Sequence, residues 1–214
     1  MFSAGAKSAM PLPSEISHSG PAHPGAQPEY SPEERQLLLR LAHDAILSAL
    51  EGRELEASIL QARLLEHLSE ARGAFTTLYA RGRLRGCVGY PTALFPLHRT
   101  VIETARAAAF DDPRFVPVTL PEAPELLVSV SVLSPLRAIS AEAVEVGRHG
   151  LLITDGARRG LLLPQVPVEH GWDRITFLEQ TCRKASLPLD AWRSAQIKIE
   201  AFTAEVFADE GCES

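Results

Sequence analysis

The sequence contains no uninterrupted apolar run of the roughly 18 residues that a membrane-spanning helix needs. Its first residues also lack the charged flank and apolar core of a secretory signal peptide. Cysteine is scarce: Cys87, Cys182 and Cys212 are the only three in 214 residues, too widely spaced for a disulfide framework or a zinc ribbon. We therefore expect a soluble, cytoplasmic protein that does not associate with membranes and whose thiols are reduced.

A basic excess is absent as well. The chain has 21 Lys and Arg against 27 Asp and Glu, a net charge of -6, and no evident aromatic platform on which bases could stack. Both features argue against nucleic-acid binding. Arginines still cluster in two short segments, at residues 81–85 and 158–159. RNA binding therefore remains a third, least favoured hypothesis.

Most sequence motifs that indicate a particular type of reaction are also absent. The sequence has no Walker loop, no GxGxxG after a strand, no HExxH, no paired CxxC and no GxSxG. His98, His149 and His170 show neither HxH nor HxxxH spacing, so nothing in the sequence proposes a metal site. We infer no cofactor, because the three cysteines also lack the spacing that binds an iron-sulfur cluster.

What is present begins after a tail. Residues 1–30 are rich in Ser, Ala, Gly and Pro, a composition that predicts disorder. Ser31 and Glu34 form a capping box around Pro32, which suits the first position of a helix. Helical spacing of apolar residues then continues to about Leu50, and Gly52 ends the helix.

The rest of the chain alternates between strand and helix patterns, and the segment from Ala57 to Ala71 fits either a short helix or a covering loop. The predicted elements are a hairpin over residues 73–90 with its turn at Arg81-Gly82, a helix over Leu97–Phe110, a strand over Leu126–Leu133 with one apolar and one polar face, a hairpin around Asp155-Gly156 whose second strand ends at Pro164, a helix over Asp173–Ala185 and a long strand over Gln196–Phe207. So many hairpins exclude a parallel doubly wound sheet. The pattern predicts an α+β fold with a mixed or antiparallel sheet and flanking helices.

The segment Leu84 to Gly89, LRGCVG, is the most unusual stretch. In a regular strand Arg85 and Cys87 share a face, and a neighbouring guanidinium favours a reactive thiolate. Gly86 and Gly89 would let a ligand approach the backbone closely. The alternative is structural: Cys87 is a small buried apolar residue, and the glycines only permit a bulge or a helix contact.

Four further residues are candidates for substrate binding. Asp112 and Arg114 follow the Ala-rich helix in the segment DDPRF, where they either contact a ligand or form an ordinary ion pair. Ser129 lies on the polar face of its strand and points either into a cleft or to water. Gln165, after Pro164, could offer its amide to a ligand.

Several segments together resemble one known family: GAFTTLYARGRLRGCVGY, AAAFDDPRF, LLVSVSVLSPLRAI, HGLLITDG, GLLLPQV and FLEQTCRKASL. In order and spacing they are similar to the AMMECR domain, called AmmeMemoRadiSam system protein A in bacteria and archaea. The resemblance covers residues 31–209, including the family hallmark LRGC(I/V)G, and leaves 210–214 as a short C-terminal tail. Val88 stands where many relatives have Ile.

The resemblance implies two unequal subdomains and a cleft lined by the LRGCVG segment. It also implies two partners, a Memo-like protein and a radical SAM protein, and it supplies no reaction. By this analogy the site residues are Arg85, Gly86 and Cys87, followed by Asp112 and Arg114.

Two principal hypotheses follow for the function. In the first, an enzyme holds a small anionic substrate or intermediate with Arg85 and Arg114 while Cys87 acts as nucleophile or thiol carrier. In the second, the protein is a non-catalytic adaptor between its partners, and Cys87 is incidental to it. The accessibility and pKa of Cys87 separate the two.

Overall fold

A computed structural model describes residues 10–11, 28–55 and 66–212, and all structural statements below concern these residues. The fold is α+β, as the order of the elements predicted. The chain divides into two compact units, which are described in turn. The first comprises the described parts of residues 1–13, 30–131 and 206–213, and the second those of residues 14–29 and 132–205.

The first unit is built on a sheet with the strand order β1-β3-β2-β4-β9. Its strands are β1 (Met10–Pro11), β2 (Ala74–Ala80), β3 (Arg83–Tyr90), β4 (Leu126–Leu133) and β9 (Ala204–Ala208). Residues 132–133 at the end of β4 and 204–205 at the start of β9 belong to the second unit. Two helices accompany it, α1 (Pro32–Glu51) and α2 (Leu97–Phe110), and α2 packs against α1, β2 and β3. Arg106 of α2 donates to the carbonyl of Ala45 at 3.2 Å and so ties the two helices together.

The second unit contains a four-stranded sheet with the order β5-β8-β6-β7. The strands are β5 (Arg137–Ala138), β6 (Gly150–Asp155), β7 (Arg158–Leu162) and β8 (Lys198–Phe202), and all neighbours are antiparallel. Helix α3 (Gln165–Glu169) is short, whereas α4 (Arg174–Lys184) packs on β6 and β7. Phe177, Leu178 and Cys182 of α4 are fully buried.

Local sequence signals placed most of these elements correctly. The Ser31 hydroxyl accepts from the Glu34 N–H and the Glu34 carboxylate accepts from the Ser31 N–H, which is the predicted capping box. Gly52 ends α1 with φ 65°. Helix α2 has the predicted bounds, and both hairpins turn where Arg81-Gly82 and Asp155-Gly156 predicted.

Two expectations were wrong. Strand β4 has no solvated polar face, because Ser129 and Ser131 are buried, as are Val128, Val130 and Val132 on the other face. The long final strand is two strands, β8 and β9, which belong to different sheets. Alternation of residue types could not reveal either of these, since both depend on what packs nearby. The residues after Pro164 form α3, a short helix that the sequence did not predict.

Parts of three predicted segments lie outside the described residues: residues 1–9 and 12–27 of the predicted N-terminal tail, residues 57–65 of the ambiguous segment, and residues 213–214 of the predicted C-terminal tail. At the end of the predicted tail, Tyr30 is buried and stacks on His67, with 5.0 Å between the ring centroids. Within the described part of the chain, no helix combines the length and the apolar character needed to cross a membrane.

Candidate functional site

A bulge in strand β3 decides which way the residues of the LRGCVG segment point. Thr77 pairs with Cys87 and Leu78 with Gly86, but Tyr79 pairs with Leu84, so Arg85 has no partner on β2. One extra residue reverses the alternation beyond it. Cys87 therefore shares a face with Leu84 and Thr77, and the regular alternation from which we expected Arg85 and Cys87 to share a face is interrupted at Arg85.

The Cys87 thiol is enclosed. The residue is 1% exposed, and its Sγ lies 3.0 Å from Oγ1 of Thr77. Burial raises the pKa of Cys87 to about 12, although the hydrogen bond with Thr77 and the charge of Arg114 act in the opposite direction. The expected lowering of this pKa by Arg85 is therefore wrong, and the thiol is protonated at neutral pH.

Arg85 instead forms a two-point ion pair with Glu122. Its Nε donates to Oε1 at 2.6 Å and its Nη2 to Oε2 at 3.1 Å. This pair lowers the pKa of Glu122. The Arg85 side chain is 13% exposed, and its Nη1 is a buried nitrogen without a hydrogen-bond partner among the described residues. The guanidinium is thus already neutralised by a carboxylate that lies 37 residues away in sequence.

Asp112 and Arg114 together bind the backbone of Cys87. The Cys87 N–H donates to Oδ2 of Asp112 at 2.9 Å, and Nη2 of Arg114 donates to the Cys87 carbonyl at 3.4 Å. The same Arg114 nitrogen donates to Oδ2 of Asp112 at 2.7 Å. Strand β1 pairs with β3 at Gly89 and Val88 and does not extend to Cys87. Backbone groups without a neighbouring strand would otherwise lack hydrogen-bond partners. Here one side-chain pair satisfies both groups of Cys87 and so takes the place of a neighbouring strand.

The charges in this pair support each other. Burial by itself would raise the pKa of Asp112, but hydrogen bonds from the Arg114 side chain and from the backbone N–H groups of Cys87 and Arg114 outweigh it, and the pKa lies below its usual value. The Asp112 side chain is 1% exposed. The same hydrogen bond raises the pKa of Arg114. Removing either partner would leave a buried charge uncompensated.

Other groups of the protein occupy the space beside Gly86 and Gly89 where a side chain would lie. A Cβ on Gly86 would lie 2.1 Å from the carbonyl oxygen of Ala108 in α2, and a Cβ on Gly89 would lie 2.2 Å from the ring of Phe75. We expected the glycines to allow another group to approach the backbone closely, and this is confirmed. The approaching groups are the backbone of α2 at Gly86 and the core side chain of Phe75 at Gly89. Their assignment to a ligand stays a prediction.

The contacts of β3 hold both ends of one loop, residues 111–122, which we call the 111–122 loop. Asp112 and Arg114 fix its start on Cys87, and Glu122 fixes its end on Arg85. Between these anchors the buried Val118 donates from its N–H to the carbonyl of Ala109 at 2.9 Å. The LRGCVG segment thus holds both ends of the loop.

Between its anchors the loop exposes apolar side chains. Val116 is 77% exposed and Leu120 is 48% exposed. Pro113, Pro117 and Pro121 restrict the backbone around them. A restrained loop with projecting aliphatic groups suits contact with another protein, because less conformational entropy is lost on binding.

The remaining predicted site residues do not join this arrangement by any described contact. Ser129 is buried within β4, and Gln165 is the first residue of α3 in the second unit. Conversely, sequence reasoning missed Glu122 and Thr77, which contact the Arg85 guanidinium and the Cys87 thiol. Gly86 was the available signal for the bulge, since a glycine inside a strand often marks one. Nothing local signals the partnership between Arg85 and Glu122.

Comparison with known proteins gives a consistent family match. The sequence profile of the AMMECR1 family matches residues 39–207. Protein MK0488 of Methanopyrus kandleri is 44% identical over 83% of this chain and 89% of its own length, and a protein of Aquifex aeolicus is 39% identical over 80% and 91%. The crystal structure of the uncharacterized protein PH0010 from Pyrococcus horikoshii superposes with a TM-score of 0.73 at 43% identity, covering 83% of this chain and 92% of that one.

Proposed function

The chain belongs to the AMMECR1 family, and from that premise we propose that it is a docking module that binds a protein partner through the 111–122 loop. The observation that carries the proposal is the double anchoring of this loop on the hallmark residues Arg85 and Cys87. In this view LRGCVG serves function indirectly, because it fixes the surface that the partner contacts.

The state of Cys87 favours docking over covalent catalysis. A thiol that is 1% exposed, with a pKa of about 12, offers almost no thiolate at neutral pH. The two arginines assigned to an anionic substrate, Arg85 and Arg114, are each paired with a carboxylate. In this proposal Arg85 and Arg114 therefore hold the 111–122 loop in place.

The partners follow from the family and remain part of the proposal. We take them to be a Memo-like protein and a radical SAM protein, the two that the family resemblance implies. Because Val116 and Leu120 are apolar and exposed, we expect the partner to present an apolar recess that accepts both side chains. Aliphatic groups that become fully desolvated at the centre of an interface commonly supply much of its binding energy.

The test is a calorimetric titration of the full chain against each purified partner. Val116→Asp combined with Leu120→Asp should weaken binding at least tenfold, since both charges would have to be desolvated in the interface. Leu94→Asp is the matched control: Leu94 is 52% exposed, lies outside the loop and should leave affinity unchanged.

A second pair of variants tests the anchoring. Glu122→Gln weakens the ion pair with Arg85 and should reduce affinity without touching the apolar surface, whereas Glu125→Gln, which affects the exposed pair with Arg81, should not. Equal affinity of the Val116/Leu120 variant and the unaltered chain, or no binding of either partner to the unaltered chain, would refute the proposal.

One observation favours a second candidate, the binding of a small anion. The Nη1 of Arg85 is buried and lacks an acceptor among the residues described, so an anion that reached it would complete the hydrogen bonds of the guanidinium. Phosphate and acetate should then raise the melting temperature of the protein, and this rise should disappear in Arg85→Gln. If neither anion changes the melting temperature, this second candidate fails and the docking proposal is unaffected.

A further inference from the structure

The second unit carries an open depression of about 410 Å³, a volume within the range of roughly 300 to 1,000 Å³ typical of small-molecule sites. Its wall comes from the segment that follows β5 and from the turn and strand around β8. The lining residues are Ile139, Ser140, Ala141, Glu142, Trp192, Arg193, Ile197 and Ile199. All belong to the second unit, so the site is independent of the 111–122 loop.

One part of this lining is apolar. Ile139, Ile197 and Ile199 are each half-buried, and the N–H of Ile139 donates to the carbonyl of Ile199 at 3.1 Å, which fixes two of them next to each other. The half-buried indole of Trp192 continues the surface. The lining as a whole exposes more polar than apolar surface, so these four side chains are the part of it from which an aliphatic chain displaces water favourably.

The other part of the lining is cationic. The Arg193 guanidinium lies over the Trp192 ring, with 4.3 Å between Cζ and the ring centroid. Arg193 is exposed and forms no ion pair within the described part of the chain. Stacking on the indole holds the cation at the rim without neutralising it. Its charge is therefore available to a ligand.

Two further polar groups affect what can bind. The buried Nε1 of Trp192 has no hydrogen-bond acceptor among the described residues, so a carboxylate oxygen that reached it would supply one. Glu142 brings a negative charge to the lining, and its pKa is lowered, chiefly by a hydrogen bond from its own backbone N–H. The carboxylate of a ligand would be attracted by the charge of Arg193 and repelled by the charge of Glu142. Substitution of each residue separately tests the two effects.

We propose that this depression binds aliphatic carboxylates, with the hydrocarbon chain against the three isoleucines and Trp192 and the carboxylate at Arg193. The pairing of a bare guanidinium with an apolar wall selects a ligand that is hydrophobic at one end and anionic at the other. Neutral lipophilic molecules lack the second interaction, and short anions such as acetate lack the first.

Octanoate is the probe, and octanol is its neutral counterpart. Trp172→Phe leaves Trp192 as the only indole of the chain, so its emission and its indole N–H signal in a ¹⁵N correlation spectrum both report on the site. Octanoate should shift both signals saturably and bind at least fivefold more tightly than octanol. Arg193→Gln should weaken octanoate at least fivefold, while Glu142→Gln should leave its affinity equal or tighter.

Equal affinity for octanoate and octanol, or unchanged octanoate binding by a folded Arg193→Gln variant, would overturn the proposal. Shifts of the Trp192 signal that do not saturate would overturn it as well. A short peptide ending in isoleucine, with either a free or an amidated C-terminus, identifies the source of the carboxylate. Tighter binding of the free peptide than of octanoate assigns a protein C-terminus, and weaker binding assigns a free acid.

Discussion

At the scale of single residues, Cys87 illustrates how enclosure outweighs a nearby cation. Arg114 and the Thr77 hydroxyl both favour the thiolate, yet desolvation is the largest influence and raises the pKa of Cys87 to about 12. A cysteine near an arginine in sequence predicts reactivity only where solvent reaches the sulfur. Two predictions belong to this scale.

The first concerns alkylation of Cys87. In a Cys182→Ala, Cys212→Ala background, iodoacetamide should leave the folded protein unlabelled up to about pH 9, because the thiol is enclosed and remains protonated. Intact mass spectrometry measures the label, and complete labelling in urea serves as the control. Rapid labelling of the folded chain with a midpoint below pH 8 would contradict the structural role and restore the nucleophile hypothesis.

The second concerns the acid sensitivity that Asp112 confers. Its pKa is lower in the folded protein than the ordinary value of 3.8, so its ionised form adds stability above about pH 4, and this contribution is lost as the pH falls through the folded pKa. Asp112→Asn should therefore lower the free energy of unfolding at pH 7 by about 1 to 3 kcal/mol. The difference from the unaltered chain should shrink at pH 3.

Urea denaturation at the two pH values measures this difference. Asp111→Asn is the matched control, since Asp111 is the exposed neighbour of Asp112 and should change stability little at either pH. A deficit of the Asp112→Asn variant that is equally large at pH 3 would show that its cause is packing and not charge.

At the scale of secondary-structure elements, the contact between β3 and α2 is the closest approach in the first unit that a glycine makes possible. The backbone of Gly86 faces the carbonyl of Ala108, and alanines dominate this part of α2. Small residues on both sides bring the strand and the helix together. The same strand carries the bulge at Arg85, so one short segment sets both the packing of α2 and the position of the 111–122 loop.

Gly86→Ala tests this contact. A Cβ placed 2.1 Å from backbone oxygen cannot be accommodated unless strand or helix moves, and we expect a loss of about 3 kcal/mol in the free energy of unfolding. Gly82→Ala is the comparison: it meets no atom within 4 Å but sits at φ 70°, so it should cost about 1 kcal/mol. Thermal and urea unfolding measure both, and an equal loss for the two variants would contradict the close contact.

At the scale of the whole molecule, the distribution of charge matters more than its sum. The net charge is -6, and three of the five arginines in the two local clusters pair with carboxylates. Arg81 pairs with Glu125, Arg85 with Glu122 and Arg158 with Asp155. Such pairing reduces the positive charge that would attract a phosphate backbone and leaves Arg83 and Arg159 as the exposed arginines of the two clusters without an ion pair among the described residues.

We therefore predict no binding of RNA at physiological salt. Fluorescence anisotropy with a labelled single-stranded RNA of about 20 nucleotides, longer than the roughly 4 to 16 nucleotides that one such site covers, should show no change at 150 mM salt up to micromolar protein. Binding that is tight and weakens steeply with added salt would show instead that the arginines form a functional basic surface.

The sequence by itself determined those features that depend on residues a few positions apart. The capping box of Ser31 and Glu34, the turns at Arg81-Gly82 and Asp155-Gly156, the bounds of α2 and the α+β class all follow from local hydrogen bonding and backbone preference. The family could also be recognised from ordered motifs.

Only the tertiary structure decided the direction of Cys87, the partner of Arg85 and the burial of Ser129. A single unpaired residue in β3 reverses the faces beyond it, and strand periodicity cannot register such a slip. Arg85 meets Glu122 across 37 residues, and Cys87 meets Asp112 across 25. Contacts of this range form when separate elements pack together, so the chemistry of the LRGCVG segment depends on its neighbours in space.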